Sequence, residues 1–566
     1  MADPLWLESY DAGVPARIDY EELTLDAIFR RTAERFGDRP ALAFLNCEMS
    51  YSQLSDEVDR AATAFAGMGV GPGKSVAIQL PNCPQAVIAF LAALTCGGRV
   101  VMTNPLYTLR EIEHQWGDAD CVVAVVADFN WDQTLRSARE ELSPKHYVVA
   151  SIPEYLRFPL NLLAPLKLRK EDPPKFAKVA PEAGVHLFRK LVNSTAPNPP
   201  RPNVDMDDVA LLQYTGGTTG PSKGAMLTHR NLASNVQQID AWFTGVEFGK
   251  EVLLTCLPLF HVFGLTVCMG WGLWAGAKLV LVPNPRDFKS LVKNITRHRV
   301  TLFPAVPALF NGLNNFPGIE KQDVSSLRCC FSGSAPLGDG VLKRFEELTG
   351  SKIVEGFGMS ETSPVATCNP LYGKRKVGSV GIPVSDTEVK IVLAEDENQE
   401  VEQGQEGQLL IRGPQVMVGY WGREDASEEA LAGGWMHTGD LAVADEEGYL
   451  RIVGRMKDMI NVNGMKVFPD EVDEVLMSHE GILEAATIGL PDSERGERVK
   501  SFVVLQPGAS LDADAVKAWC ADGLARYKVP REVAFLDELP KSSVMKILRR
   551  ELRDMEEKAG GAGGAG

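Results

Sequence analysis

No CxxC pair occurs among the ten cysteines of this 566-residue chain. Several sit singly in apolar runs, so they read as reduced core residues in a reducing compartment, and no bridged framework is expected. Positive charge is also short: 58 Lys and Arg against 75 Asp and Glu leave a net charge of −17, which argues against non-specific nucleic-acid binding. An anionic ligand must then be met by locally placed cations. The N-terminus, Met1-Ala2-Asp3-Pro4, lacks a basic region followed by an apolar one, so no signal peptide is expected and the protein reads as cytoplasmic. One long uncharged run exists, Val252 to Ala277, which has no Asp, Glu, Lys or Arg and is long enough to cross a bilayer. Pro258, His261 and four glycines interrupt it, and buried strand, loop and helix are expected in its place. There is no internal repeat.

What is present is the composition of a globular protein, 45% hydrophobic and 23% charged, in a chain long enough for two or more domains. The first third alternates helical spacing (Leu25 to Phe36, Pro84 to Cys96, Arg110 to Asp118) with apolar strand patterns (Ser75 to Leu80, Arg99 to Met102, Cys121 to Val126). That alternation predicts an α/β fold, a parallel-rich sheet layered with helices on both faces. Strand and helix patterns continue to Arg455, and a shorter α+β unit follows, giving expected domains at 1–455 and 456–555 and a flexible Ala/Gly tail at 556–566. A proline-rich stretch, 152 to 204, contains a basic, leucine-rich segment at Leu156 to Lys170. Cations beside leucines in an acidic protein suit peripheral contact with an anionic membrane surface, although Pro159 and Pro165 are expected to prevent one continuous helix.

The chain is organised around Thr215-Gly216-Gly217-Thr218-Thr219-Gly220-Pro221-Ser222-Lys223-Gly224. Glycines let backbone N–H groups converge, hydroxyls add donors and the lysine adds a cation, which together make a phosphate cradle. A buried strand, Val209 to Tyr214, leads into it. Ser222 stands where a Walker A loop needs glycine, and the glycines do not space as GxGxxG, so neither the P-loop NTPase nor the dinucleotide fingerprint fits.

With Tyr214 before it and Ala225-Met226-Leu227-Thr228-His229-Arg230-Asn231 after it, this loop resembles that of the adenylate-forming superfamily, the acyl-CoA synthetases, and within it the bacterial long-chain fatty-acid–CoA ligases. Further motifs carry the resemblance from about Tyr20 to Leu552. In Leu257-Pro258-Leu259-Phe260-His261 it implies that His261 lies beside the acyl carboxylate. Gly333-Ser334-Ala335-Pro336 resembles the adenine-contacting loop. Glu355-Gly356-Phe357-Gly358-Met359-Ser360-Glu361 departs from the family in Phe357 for Tyr and Ser360 for Thr. An aromatic face and a hydroxyl survive there, while the phenolic hydrogen bond is lost.

The same resemblance assigns Mg²⁺ to Glu361, ribose to Asp440 with Arg455 reaching ribose or phosphate, a hinge to Lys457, the pantetheine channel to Gly464 and the catalytic role to Lys546. Met545 replaces the usual glycine before that lysine. The implied reaction joins ATP and a fatty acid as acyl-AMP, releases pyrophosphate, and transfers the acyl group to coenzyme A. Ligases of aromatic or shorter acids, adenylating enzymes that load a carrier protein, and a non-catalytic nucleotide- or lipid-binding scaffold remain alternatives. Fatty acid and CoA are the expected partners, with no nucleic acid, and a homodimer stays open.

Overall fold

The computed structural model describes residues 4–215, 222–393, 396–463, 465–492, 496–542 and 546–562. Two large sheets dominate it. In the seven-stranded one the order is Val185–Leu187, His146–Ala150, Cys121–Ala127, Ser75–Gln79, Arg99–Met102, Val209–Thr215, Lys223–Thr228. All neighbours are parallel except the last pair, which is antiparallel. Cys121–Ala127 shows why: six of its seven residues are buried, the continuous apolar pattern of a strand covered on both faces.

The nine-stranded sheet runs Ile382–Pro383, Val365–Cys368, Lys352–Gly358, Cys329–Ser332, Leu302–Ala305, Val252–Thr255, Lys278–Leu281, Pro40–Phe44, Cys47–Ser50. It is parallel in its middle and antiparallel at both margins. Helix Pro84–Thr95, buried at every position, is an apolar rod inside the main core. A helix hydrophobic all round can only be stable when buried on all sides. The uncharged run at 252 resolves into strand Val252–Thr255, a π-helical stretch Phe263–Gly270 and helix Trp271–Trp274. Among the described residues, no helix is long and apolar enough to cross a membrane. All ten cysteines are free, and all but Cys47 are buried.

A third, antiparallel sheet of five strands ends in Met436–Ala444 and Leu450–Arg455. A smaller α+β unit follows, in which Ile460–Val462, Met465–Val467, Ile482–Asp492 and Gly496–Leu505 pack with helices Pro469–Met477 and Ala513–Gly523 around their own apolar clusters. The final helix, Arg549–Ala562, takes in residues 556–562 of the segment read as a tail, four of them in the alanine- and glycine-only stretch that begins at Ala559.

One expectation needs correction. Pro159 sits at an N-cap and does bound its helix, but helix Leu160–Leu168 continues through Pro165. The helix is a surface one with no buried residue, and its interior proline carries the ordinary cost of about 3 kcal/mol, from the lost bond and the ring's clash with the preceding turn.

Candidate active site

The phosphate-loop candidates flank a tight antiparallel pair. Thr215 ends the buried strand and lies directly opposite Lys223, which begins the edge strand. Gly216, Gly217, Thr218, Thr219 and Gly220 lie outside the described residues, as do Gly464 and Met545. Tyr214, beneath the loop, donates its hydroxyl to Asp118 at 2.7 Å.

An apolar cleft of about 690 Å³, part of it open to solvent, lies where several parallel strands end. Ligands collect at such strand ends because the backbone diverges there. Trp242, Phe243, Val267 and Phe331 give its lining an apolar and aromatic part, and Gly333, Ser334, Gly356, Phe357 and Gly358 also line it. Phe243 and Phe331 pack at 4.2 Å between ring centroids. Gly358 is required, since a Cβ there would stand 2.0 Å from the Pro364 carbonyl oxygen. Ser334 takes a left-handed backbone at φ 72°, a strained conformation of the kind that gathers at ligand clamps.

Glu355 immediately precedes Gly356 of this lining. Its Oε1 accepts from the Leu337 N–H at 3.0 Å, and burial pushes its carboxyl up to about 7. It braces the turn that carries Ser334, Ala335 and Pro336. His261 lines the cleft, and its Nδ1 accepts from the Phe263 N–H at 3.3 Å, leaving the proton on Nε2. Enclosure by protein, then the nearby Lys546 cation, lowers its pKa to about 4. The imidazole is therefore a neutral donor at physiological pH.

Asp440 and Arg455 are cross-strand partners, with Arg455 Nε donating to Asp440 Oδ1 at 2.8 Å. The local fold aims the carboxylate. Between Gln408 and Leu410 the register shifts against Met436–Ala444, Gly439 takes φ 69°, and the Thr438 hydroxyl donates to the Leu409 carbonyl. Such a bulge re-aims one side chain. Asp440 is 2% exposed, and its Oδ2 is buried with no hydrogen-bond partner. A buried acceptor left bare costs roughly 1–3 kcal/mol, and a ribose hydroxyl would satisfy it. Burial raises the carboxyl pKa, opposed chiefly by Arg455 and then Lys546.

Lys546, on the small unit, lies near enough to His261 for its charge to act on that imidazole. Its carbonyl accepts from the Ser542 N–H at 2.8 Å, and its own N–H donates to the Ser542 hydroxyl at 3.2 Å. The residue is exposed to solvent on one side, with the charged groups of the cleft on the other. Desolvation on that inner side, then Arg455, pulls the ammonium down to about 8. Lys457 lies in the short helical turn Met456–Asp458 that follows Arg455, and its pKa is lowered by desolvation and then by Arg455.

Glu361 is 7% exposed, and its Oε1 accepts from the Tyr420 hydroxyl at 2.8 Å. Ser360 precedes it in the turn Ser360–Thr362. Among the described residues no group of three or more His, Cys, Asp or Glu could hold a metal ion. One carboxylate beside a polyphosphate cradle fits Mg²⁺ arriving with its nucleotide, since that ion keeps waters and takes substrate oxygens. Tyr420 escaped the sequence reading because no spacing rule joins it to a glutamate so far back in the chain. The apolar lining escaped it for the same reason.

Residues 29–421 match the AMP-binding enzyme family, and residues 471–546 match the AMP-binding enzyme C-terminal domain. The chain is 38% identical to the long-chain-fatty-acid–CoA ligase of Bacillus subtilis, over 97% of this chain and 98% of that one. This chain belongs to the AMP-binding enzyme family. Among solved structures, the anthranilate CoA ligase AuaEII in complex with anthranoyl-AMP superimposes with a TM-score of 0.84 at 27% identity, covering 96% of this chain and 98% of that one. MatB from Rhodopseudomonas palustris is similar at 27% identity, over 94% of this chain and 99% of that one, in two forms. The ATP-bound form gives a TM-score of 0.82 and the apo form 0.73. This AMP-binding enzyme thus superimposes better on the ATP-bound form than on the apo form.

Replacing Asp440 tests the nucleotide side. Asp440→Asn keeps the volume but loses the charge that pairs with Arg455 and would accept from ribose. Hydrogen bonds to charged groups contribute about 1.5–3 kcal/mol, so KM for ATP is expected to rise about ten- to a hundredfold. KM for the acid should stay within a fewfold. Initial rates with each substrate varied in turn check it.

Proposed function

We propose that this AMP-binding enzyme activates a long-chain fatty acid with ATP, forming acyl-AMP and pyrophosphate, and then transfers the acyl group to coenzyme A. One observation carries the reading: His261 sits in a cleft whose lining is in part apolar and aromatic, with Lys546 close by and Asp440 and Arg455 near that lysine. An acyl tail on the apolar part puts its carboxylate near His261 and the α-phosphate of ATP. In the first half-reaction a carboxylate oxygen attacks the α-phosphorus and pyrophosphate leaves. Lys546 faces charge that develops on phosphate, and the neutral His261 can donate from Nε2 to the carboxylate. Their contribution is positioning and charge stabilisation. Mg²⁺ held by Glu361 would neutralise polyphosphate charge. In the second half-reaction the CoA thiol attacks the acyl carbon and AMP departs. In this reading residues 1–455 bind ATP and the acyl group, and residues 456–555 move about Lys457 to withdraw Lys546 and bring Gly464 to the thiol.

The similarity to long-chain ligases favours a long aliphatic acid over the aromatic acid of the AuaEII structure. AMP release should be followed with MgATP and palmitate, oleate, a hydroxycinnamate or acetate, each with and without CoA. Sustained turnover is expected only with palmitate or oleate plus CoA. Turnover confined to the hydroxycinnamate or acetate would overturn the substrate, and turnover independent of CoA would overturn the acceptor.

The segment at 156–170 extends the reading to a lipid surface. Phe158, Leu162 and Leu166 are 78%, 62% and 60% exposed, and Arg157, Lys167, Arg169 and Lys170 lie among them without an acidic residue. In a chain of net charge −17, this apolar and cationic combination suits an anionic bilayer, where fatty acids also partition. Leu162→Glu with Leu166→Glu is expected to reduce sedimentation with phosphatidylglycerol liposomes at least fivefold and to leave activity on dispersed substrate unchanged. Equal sedimentation of both proteins would remove the membrane role.

A further inference from the structure

Tyr420 stands between two charged groups of the site and touches both. Its hydroxyl donates to Glu361 Oε1 at 2.8 Å, and the Lys223 ammonium lies 5.1 Å from its ring centroid. Both distances are contacts: a charge-assisted hydrogen bond on one side, a cation over an aromatic face on the other. The strap that carries it is fastened to the same two elements. The Met417 N–H donates to the Glu361 carbonyl at 2.8 Å. Met226 donates to the Gly419 carbonyl, Val418 to Met226 and Trp421 to Gly224, at 2.9, 3.2 and 2.8 Å, so the strap pairs with the strand leaving the phosphate loop.

The strap is also anchored from behind. Ser427 Oγ accepts from the Tyr420 N–H at 2.8 Å. Trp421 Nε1 donates to the Asp118 carbonyl at 3.0 Å, and Asp118 holds the hydroxyl of Tyr214 at the foot of the loop. The ring therefore has little freedom, and it touches a buried carboxylate on one side and an exposed ammonium on the other.

We propose that Tyr420 is a positioning residue that sets the spacing of Lys223 and Glu361, and so presents a fixed cation and a fixed carboxylate to the metal-bound triphosphate. The hydroxyl fixes one carboxylate oxygen of Glu361. The ring holds the Lys223 ammonium on the loop side. Nothing in the reaction passes through the phenol. The assignment rests on the ATP-dependent reading above.

The two contacts separate by substitution. Tyr420→Phe removes the hydroxyl and keeps the ring, while Tyr420→Leu removes both. Binding of ATP with Mn²⁺, and of ATP in EDTA, is measured by calorimetry without acid or CoA, and half-saturating Mg²⁺ is measured in the full reaction. For Tyr420→Phe, affinity for metal-bound ATP is expected to fall about tenfold, half-saturating Mg²⁺ to rise by a similar factor, and affinity for metal-free ATP to stay within twofold. That factor is the lower end of the effect of losing a hydrogen bond to a charged group. Tyr420→Leu should weaken both forms of ATP. Equal weakening of both forms by Tyr420→Phe would mean a merely structural role, and no change in either would mean no role; each overturns the proposal. If the unaltered protein binds no ATP, the parent reading fails, and that result is distinct from either.

Discussion

Replacing Lys546 with alanine is expected to slow acyl-AMP formation by on the order of 10³-fold, while attack of CoA on supplied acyl-AMP stays within a fewfold of the unaltered enzyme. The asymmetry follows from where the cation sits. Lys546 is close enough to His261 and Asp440 for each to feel its charge, which in the proposed reading puts it over the junction of acyl and nucleotide sites. There it faces the charge that builds as the α-phosphate is attacked, whereas the proposed second half-reaction runs with Lys546 withdrawn. A preorganised donor lost from such a position typically costs about 10²–10³ in rate. Rapid-quench measurement of acyl-AMP without CoA isolates the first half-reaction, and synthetic acyl-AMP with CoA isolates the second. Equal loss in both would overturn the asymmetry and give Lys546 no role particular to adenylation.

The same lysine gives the pH dependence a sign. Its ammonium is pulled down to about 8, so it is charged below that pH and neutral above. In the free enzyme, kcat/KM for ATP should therefore fall tenfold per unit as pH rises beyond about 8. Lys546→Arg keeps the charge throughout this range, so its activity, though reduced by the different head group, should lose that alkaline limb. His261, lowered to about 4, should contribute no change between pH 6 and 9.

Much of the frame was legible because burial writes itself into local pattern. Pro84–Thr95 and Cys121–Ala127 are apolar at nearly every position, and no exposed element tolerates that. The glycine and threonine loop stands out in the sequence by its composition alone, and its residues 216–221 lie outside the described residues. Pairings across distant strands were not. Nothing near Asp440 says that Arg455 will lie opposite it, because that partnership is made by a bulge and a hairpin register. Nor does local pattern unite Trp242, Phe331 and Val384 into one cleft. Pro165 was misread because the rule that proline breaks helices is a penalty of about 3 kcal/mol and not a prohibition.

Lys457→Pro is expected to abolish thioester formation, by 10²-fold or more, while acyl-AMP formation keeps at least a third of its rate. In the present arrangement Lys457 is the middle residue of the helical turn Met456–Asp458. Proline is tolerated at the start of a helical turn, where no N–H is needed. No intrahelical N–H bond is lost in so short a turn, and the pressure on Met456 before the proline accounts for the partial loss of acyl-AMP rate allowed above. A rotation that withdraws Lys546 and admits the thiol must change backbone angles between Arg455 and the strand Ile460–Val462. Proline fixes φ at its own position and narrows the choice at Met456 before it. If Lys457 is the pivot, the enzyme is held in the first of its two working states. Acyl-AMP should then accumulate on the protein in near-stoichiometric amount and resist added CoA, which single-turnover analysis of bound products would show directly. Loss of both half-reactions together would indicate damage to the nucleotide site through neighbouring Arg455. An unaffected thioester rate would place the pivot elsewhere in 456–459.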